Sequence, residues 1–250
     1  YKQILKCIKY KKNIIVEKPM CLSLKELKYI KRLILKSNLK ITSNLVLRVN
    51  DLFLDIKKKI KKENIFYLEA DYIWGRKNKL YGWRSNIKDY SVLLGAGIHV
   101  IDLVMWLLNK KPRSVFTVAN NIATSKTRFK KNSMYLLILE FPGNIIAKIT
   151  ANAGGIYKHF HELKIFTKNK TFSNTLTGSV TINKNTLKKN SRFYPDKKNR
   201  KKLIHNFLDC LVQPKKKHII QNKDLFNSMS VCFAAEKALK KNKKIKIRYI

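Results

Sequence analysis

Two side chains in this sequence are placed to handle a proton together while another group takes a hydride: the Lys18 amine and the His99 imidazole. Lys18 follows the apolar run Ile14-Ile15-Val16, which passes abruptly into Glu17-Lys18-Pro19. Pro19 has no N–H to extend a ladder, so a strand ends there. Open α/β sheets bind ligands at the carboxyl ends of their strands, which is where Lys18 stands. The plainer reading is one more lysine in a lysine-rich chain. His99 lies in Leu94-Gly95-Ala96-Gly97-Ile98-His99-Val100-Ile101-Asp102. The small residues let backbone pass close to a neighbour, and Gly97 is expected to precede a helix running to about Asn109. His99 would then sit in the first turn, where the helix N-terminus disfavours a protonated ring. A neutral imidazole near pH 7 is what a general base needs. The competing reading is a histidine satisfied by backbone groups. Asp102 shares a helical face with His99 and either orients its ring or merely sits where acids are favoured.

Other polar groups carry weaker signals. Trp83-Arg84 lies in an irregular aromatic stretch, and an aromatic–guanidinium pair suits a ring-and-phosphate or sugar ligand. An ordinary surface loop is the alternative. His159 and His161 alternate on one side of an expected strand, but no third ligand is evident and no metal site is expected. Cys7, Cys21, Cys210 and Cys232 are far apart, with no Cys-x-x-Cys, as idle thiols in a reducing cytoplasm would be.

These groups must be positioned by a chain of 250 residues, 45% hydrophobic, enough for one large domain or two smaller ones. No run is long and apolar enough to suggest a membrane span. The net charge of +40 invites a nucleic-acid reading, yet only nine of the 55 basic residues are arginine, including Arg48, Arg76, Arg84 and Arg200. Arginine is the usual reader of phosphates and bases. The lysines are spread from end to end, so no specific nucleic-acid partner is expected; the field could still steer phosphate-bearing ligands.

Apolar spacing predicts a helix over Tyr1–Lys12, a buried strand over Asn13–Glu17, a helix opened by the Ser23/Glu26 capping box and a strand over Ile41–Leu47. That is the alternation of a parallel sheet wound with helices. A helix over Asp51–Lys62 and a strand over Ile65–Trp74 follow. After Pro112 come expected strands at Ser114–Asn120, Ser133–Phe141, Ile145–Ala153 and His161–Thr167, with weaker ones near Thr171–Phe172 and Val180–Ile182. Short turns between them imply antiparallel pairing. Asn183–Arg200 reads as an exposed loop, Lys201–Val212 and Lys223–Lys240 as helices, Ile245–Tyr249 as a last strand. The expected fold is α/β: a partial Rossmann-like parallel remnant over residues 1–47, then an α+β domain with a large, mostly antiparallel sheet over residues 48–250, the boundary falling near Leu45–Asn50.

At these residues the chain resembles the glucose–fructose oxidoreductase, inositol dehydrogenase and MocA family (Gfo/Idh/MocA). Asn13 to Met20 resembles the family's strand ending in Glu-Lys-Pro, Asn44 to Arg48 the strand that closes its nucleotide domain, and Gly82-Trp83-Arg84 with Leu94 to Leu107 its catalytic helix entry. The resemblance implies a nicotinamide cofactor, NAD or NADP, and a hydride passing to or from a hydroxyl-bearing carbon of a sugar, cyclitol or nucleotide-sugar. It implies catalytic roles for Lys18 and His99, cofactor contacts from Glu17, Lys18, Pro19, Trp83 and Arg84, and substrate contacts from Lys18, Arg48, Arg84 and His99. It also implies a homo-oligomer, dimer or tetramer, in the cytoplasm.

Two departures stand out. Many members carry an aspartate four residues before the histidine; here that residue is Gly95. No G-x-G-x-x-G is present, because Val100 stands where a third glycine after Gly95 and Gly97 would fall. The chain is therefore expected to be an N-terminally truncated member that binds NAD(P) poorly by itself. The alternative is a non-catalytic sugar-binding or oligomerisation module derived from the same family.

Overall fold

The computed structural model describes residues 1–191, 199–213 and 215–250. Helix α1 (Lys2–Lys9), strand β1 (Ile14–Val16), helix α2 (Leu24–Ser37) and strand β2 (Ile41–Ser43) follow the expected alternation, with β1 and β2 paired in parallel. Helix α2 starts where Ser23 and Glu26 dictate. The Ser23 hydroxyl accepts from the Glu26 N–H at 3.2 Å, and the Glu26 carboxylate accepts from the Ser23 N–H at 3.1 Å. Donors that a helix cannot satisfy internally are thereby paired. Strand β2 stops short of the expected Leu47. The chain turns into a 3-10 segment, Val46–Val49, because Leu47, Arg48 and Val49 are all drawn into the interior.

Helix α3 (Asp51–Lys59) leads to strand β3 (Ile65–Ile73). The short helix α4 (Trp83–Asn86) and helix α5 (Ile98–Leu108) follow, then strands β4 (Ser114–Asn120), β5 (Met134–Glu140), β6 (Ile146–Asn152), β7 (Phe160–Thr167), β8 (Lys170–Thr175), β9 (Gly178–Asn183) and β10 (Leu187–Ser191). Helix α6 (Asn199–Val212), helix α7 (Asn222–Lys241) and strand β11 (Ile245–Lys246) close the chain. The large sheet has the order β10-β9-β8-β7-β3-β6-β5-β4-β11. Its pairings are antiparallel except β3 with β6, which are parallel. This is the mixed α/β architecture that the alternation and the short turns imply.

One sheet face is apolar: Tyr135, Leu137, Leu139, Ala147, Ile149 and Ala151 are buried. The other carries a polar ladder in which Lys148 lies 3.4 Å from Glu69 and 3.3 Å from Asp71. The period of two along each strand produces this division. Leu187–Ser191, expected within a loop, is instead the edge strand β10, with Leu187 opposite Ile182. An edge strand needs pairing on one side only and tolerates lysines facing water, so its sequence looked like loop. The remainder of that stretch, 192–198, lies outside the described residues. Among the described residues, no helix is long and apolar enough to cross a membrane.

Two devices fix the parallel pair against the sheet. The Asn222 side chain at the start of α7 accepts from the Ile41 N–H at 3.0 Å and donates to the Leu39 carbonyl at 3.2 Å. Arg48 reaches both α5 and α7 through an ion network described below.

Candidate active site

Lys18 lies two residues beyond β1, at the carboxyl end of the parallel pair, and its ammonium donates to the Gly95 carbonyl. Two residues remote in the chain are thus joined directly. Gly95 belongs to a π-helical turn, Leu93–Gly97, which runs without a break into α5. Such turns widen the backbone helix and recur at functional sites. A Cβ at Gly95 would collide with the Tyr90 ring. That ring fills the space an aspartate side chain would need, so the site has no carboxylate at this position.

His99 lies one turn further on and is 7% exposed. It is not at a helix N-terminus, contrary to expectation, because the π-helical turn continues the helix upstream of it. Its pKa is nevertheless well below the ordinary histidine value. Burial is the main cause, followed by the charge of Lys18 and by His161 and His159. Burial penalises the imidazolium, so the ring is neutral near pH 7. Its Nδ1 atom is buried and has no hydrogen-bond partner among the described residues. Asp102 does not orient the ring. Its carboxylate is taken by Arg48, at 2.6 and 2.8 Å, and by the Ser228 hydroxyl at 3.1 Å.

Around His99 is a cluster that the sequence revealed only in part. The Tyr72 ring stacks parallel to His99 with centroids 5.9 Å apart. His161 lies 4.6 Å from Tyr72 and 5.9 Å from His99, and His159 lies 5.0 Å from His161. His159 Nδ1 is 3.0 Å from the Trp74 carbonyl. A carbonyl only accepts, so Nδ1 carries the proton and Nε2 is left as the acceptor. Gly75, at φ +60°, makes this approach possible, since a Cβ there would strike the Tyr157 carbonyl. Burial lowers the pKa of both His159 and His161. The alternation of His159 and His161 was visible in the sequence, but nothing there revealed that β7 lies beside β3 and brings both rings to Tyr72. Among the described residues, no group of three or more His, Cys, Asp or Glu is arranged to hold a metal ion.

Burial lowers the Lys18 pKa to about 8; Glu17 opposes the shift, and Arg84 and Arg200 add to it. Arg84 stacks on Trp83, its guanidinium carbon 4.2 Å from the ring centroid, and lies 5.3 Å from Trp74. Trp83 itself is 56% exposed. Glu17 is exposed beside Lys18, where its carboxylate accepts from the Asn44 amide at 3.1 Å. Pro19 follows a cis Lys18–Pro19 peptide.

Arg48 is not brought to this cluster. Its guanidinium is committed to Asp102 and to Asp224 at 2.9 Å. Burial works against its charge, but the two carboxylates more than offset that, and its pKa is raised. Its planar fork is occupied inside the protein rather than offered to a ligand.

The arrangement brings together a neutral buried imidazole and an amine of lowered pKa, with aromatic rings and a stacked arginine around them. It can accept a proton from a hydroxyl and stabilise the alkoxide that remains.

Residues 57–247 match the family model for the Gfo/Idh/MocA oxidoreductases, described as "Oxidoreductase family, C-terminal alpha/beta domain". The chain belongs to the Gfo/Idh/MocA oxidoreductase family. No match was found among curated proteins. Among solved structures, myo-inositol 2-dehydrogenase from Lactobacillus plantarum superposes with a TM-score of 0.82 at 16% identity, over 99% of this chain and 77% of that one. Scyllo-inositol dehydrogenase from Lactobacillus casei, with bound NAD(H) and scyllo-inositol, gives 0.75 at 16% identity, over 98% and 76%. UDP-N-acetylglucosamine 3-dehydrogenase from Acidithiobacillus ferrooxidans gives 0.76 at 15% identity, over 95% and 74%. At such identities the likeness is one of fold. That likeness of fold also covers the parallel α/β segment that carries Lys18.

Proposed function

We propose that this Gfo/Idh/MocA chain carries the substrate half of a nicotinamide-dependent oxidoreductase that acts on a hydroxyl-bearing carbon of a sugar, cyclitol or nucleotide-sugar. The observation that carries this reading is the direct Lys18–Gly95 hydrogen bond, which joins the strand-end amine to the helical turn leading into His99. On this reading residues 1–47 belong to the nucleotide-binding side and residues 48–250 to the substrate side. The four cysteines are free thiols, in keeping with a reducing cytoplasm. The exposed face of the large sheet is the surface through which copies would associate as a dimer or tetramer.

The cofactor fits these residues at one end only. The strand-end position of Glu17, Lys18 and Pro19, and the orphaned polar atom on His99, suit the nicotinamide and its ribose, with Trp83 and Arg84 alongside. A glycine-rich phosphate cradle is not among these residues. Gly95 and Gly97 lie inside a helical turn, not in a loop with free N–H groups. When bound, NAD or NADP supplies the acceptor or donor of a hydride. His99, neutral at pH 7, takes the hydroxyl proton as the carbon is oxidised and returns it in the reverse direction. Lys18 holds the hydroxyl oxygen and offsets the charge that develops on it.

Reduced nicotinamide riboside, which carries no phosphate, tests the cofactor end without the cradle. It is expected to shift the NMR resonances of His99 and Lys18 in the intact chain, whereas adenosine leaves them in place. Equal shifts with adenosine, or shifts confined to residues outside this cluster, would overturn the assignment.

A further inference from the structure

Arginine is the scarce base of this chain, nine of 55, yet three arginines bear on the candidate site. Arg84 is held there by stacking on Trp83 and Trp74 and by a hydrogen bond that it donates to the Lys79 carbonyl at 3.2 Å. Arg76 directly follows Gly75 at the end of β3, and its charge is felt at Tyr72, His159 and His161. Arg200 opens α6, and its charge is felt at Lys18, His99 and Tyr72. Among the described residues, none of the three is in an ion pair. Arg76 and Arg200 are exposed.

Among the described residues, counter-charge is lacking. Glu17 is the one carboxylate that acts on Lys18, and it faces solvent and Asn44. Among the described residues, no acid acts on His99 or His159. Gly95 cannot acquire one without displacing Tyr90. Concentrating cations without partners is unfavourable in the empty protein, and it becomes favourable when an anion arrives.

We propose that the site takes a substrate bearing an oxyanion, a carboxylate or a phosphate, seated on Arg84 with Arg76 and Arg200 flanking it. The guanidinium fork matches two oxygens of such a group, and the aromatic stack fixes its plane before binding. A lysine-rich surface would attract any anion diffusely, whereas this seat discriminates by geometry. That Lys18 and His99 meet a reacting hydroxyl on the same molecule rests on the redox reading above; the oxyanion seat does not.

The test titrates the intact chain, at constant ionic strength and without cofactor, with D-glucuronate, inorganic phosphate and D-glucose, following the His99, His159 and His161 resonances. Saturable shifts with glucuronate or phosphate, and none with glucose at the same concentration, are expected. The tighter of the two anions then identifies the carboxylate or the phosphate as the natural group. Arg84→Gln is expected to weaken binding at least 10-fold. Arg76→Gln and Arg200→Gln, at exposed positions that do not endanger folding, are each expected to weaken it several-fold. Lys12→Gln, exposed and outside the cluster, removes the same charge and leaves affinity unchanged. Glucose shifts equal to those of glucuronate would overturn the proposal, as would equal losses from Arg76→Gln, Arg200→Gln and Lys12→Gln. If anion binding holds while reduced nicotinamide riboside leaves the His99 and Lys18 resonances in place, the redox reading fails and the seat stands.

Discussion

His99 and Asp102 are three residues apart on α5, both nearly inaccessible to water, and their surroundings are opposite. Asp102 is fully paired, with Arg48 on two oxygens and Ser228 on one of them. His99 faces Lys18, two more imidazoles and a tyrosine ring, with, among the described residues, an orphaned nitrogen and no acid acting on it. Buried charges that are fully partnered fix geometry, whereas polar groups left without partners in a cationic pocket await a ligand. One helix therefore carries a structural pin and a chemical site one turn apart.

The largest expected effect is on the site. In an assay of hydride transfer, His99→Ala and Lys18→Ala should each lower the rate constant by about 10²–10⁴-fold while circular dichroism stays unchanged. Unchanged rates in both would erase the distinction between the two surroundings. The pin should behave in reverse. Asp102→Ala should destabilise the fold by about 3–5 kcal/mol in denaturant unfolding, because Arg48 is left buried with its main partner gone. A loss below about 1 kcal/mol would mean the network is not a pin.

Lys18 connects the two halves of the comparison. Its folded pKa of about 8 is below the ordinary lysine value, so its charge opposes folding. Below pH 8 both the folded and unfolded states hold the proton, and the cost is present in full. As pH rises from 8 towards 10.5 the folded state releases its proton first, and stability rises. Lys18→Met should therefore stabilise the chain by roughly 1–2 kcal/mol at pH 7, a gain that shrinks above pH 8. Ser23→Ala, which touches only the start of α2, should cost about 1 kcal/mol in the same measurement.

Much of this was legible in the sequence. Ser23 and Glu26 announce α2, the period-two alternation announces β5 and β6, and the Glu17-Lys18-Pro19 strand end and His99 are the two segments that the Lys18–Gly95 hydrogen bond links in the candidate site. What was not legible depended on neighbours. Arg48 reads as a free binding residue until α5 and α7 bring Asp102 and Asp224 to it. At the π-helical turn Leu93–Gly97 the Tyr90 ring and the Lys18 ammonium both close on Gly95, and no local propensity encodes that meeting. Tyr72 joins the site through strand pairing of β3 with β7, which places it opposite His161. The lysines of β10 masked a strand because an edge lets them face water.

NMR titration of the His99 ring tests the central claim most directly, namely that Lys18 and His99 share one buried cationic site. The ring should remain neutral to well below pH 6.5, and Lys18→Met should move its pKa upward by removing the neighbouring charge. A ring that titrates at or above pH 6.5, unaffected by Lys18→Met, would contradict the account.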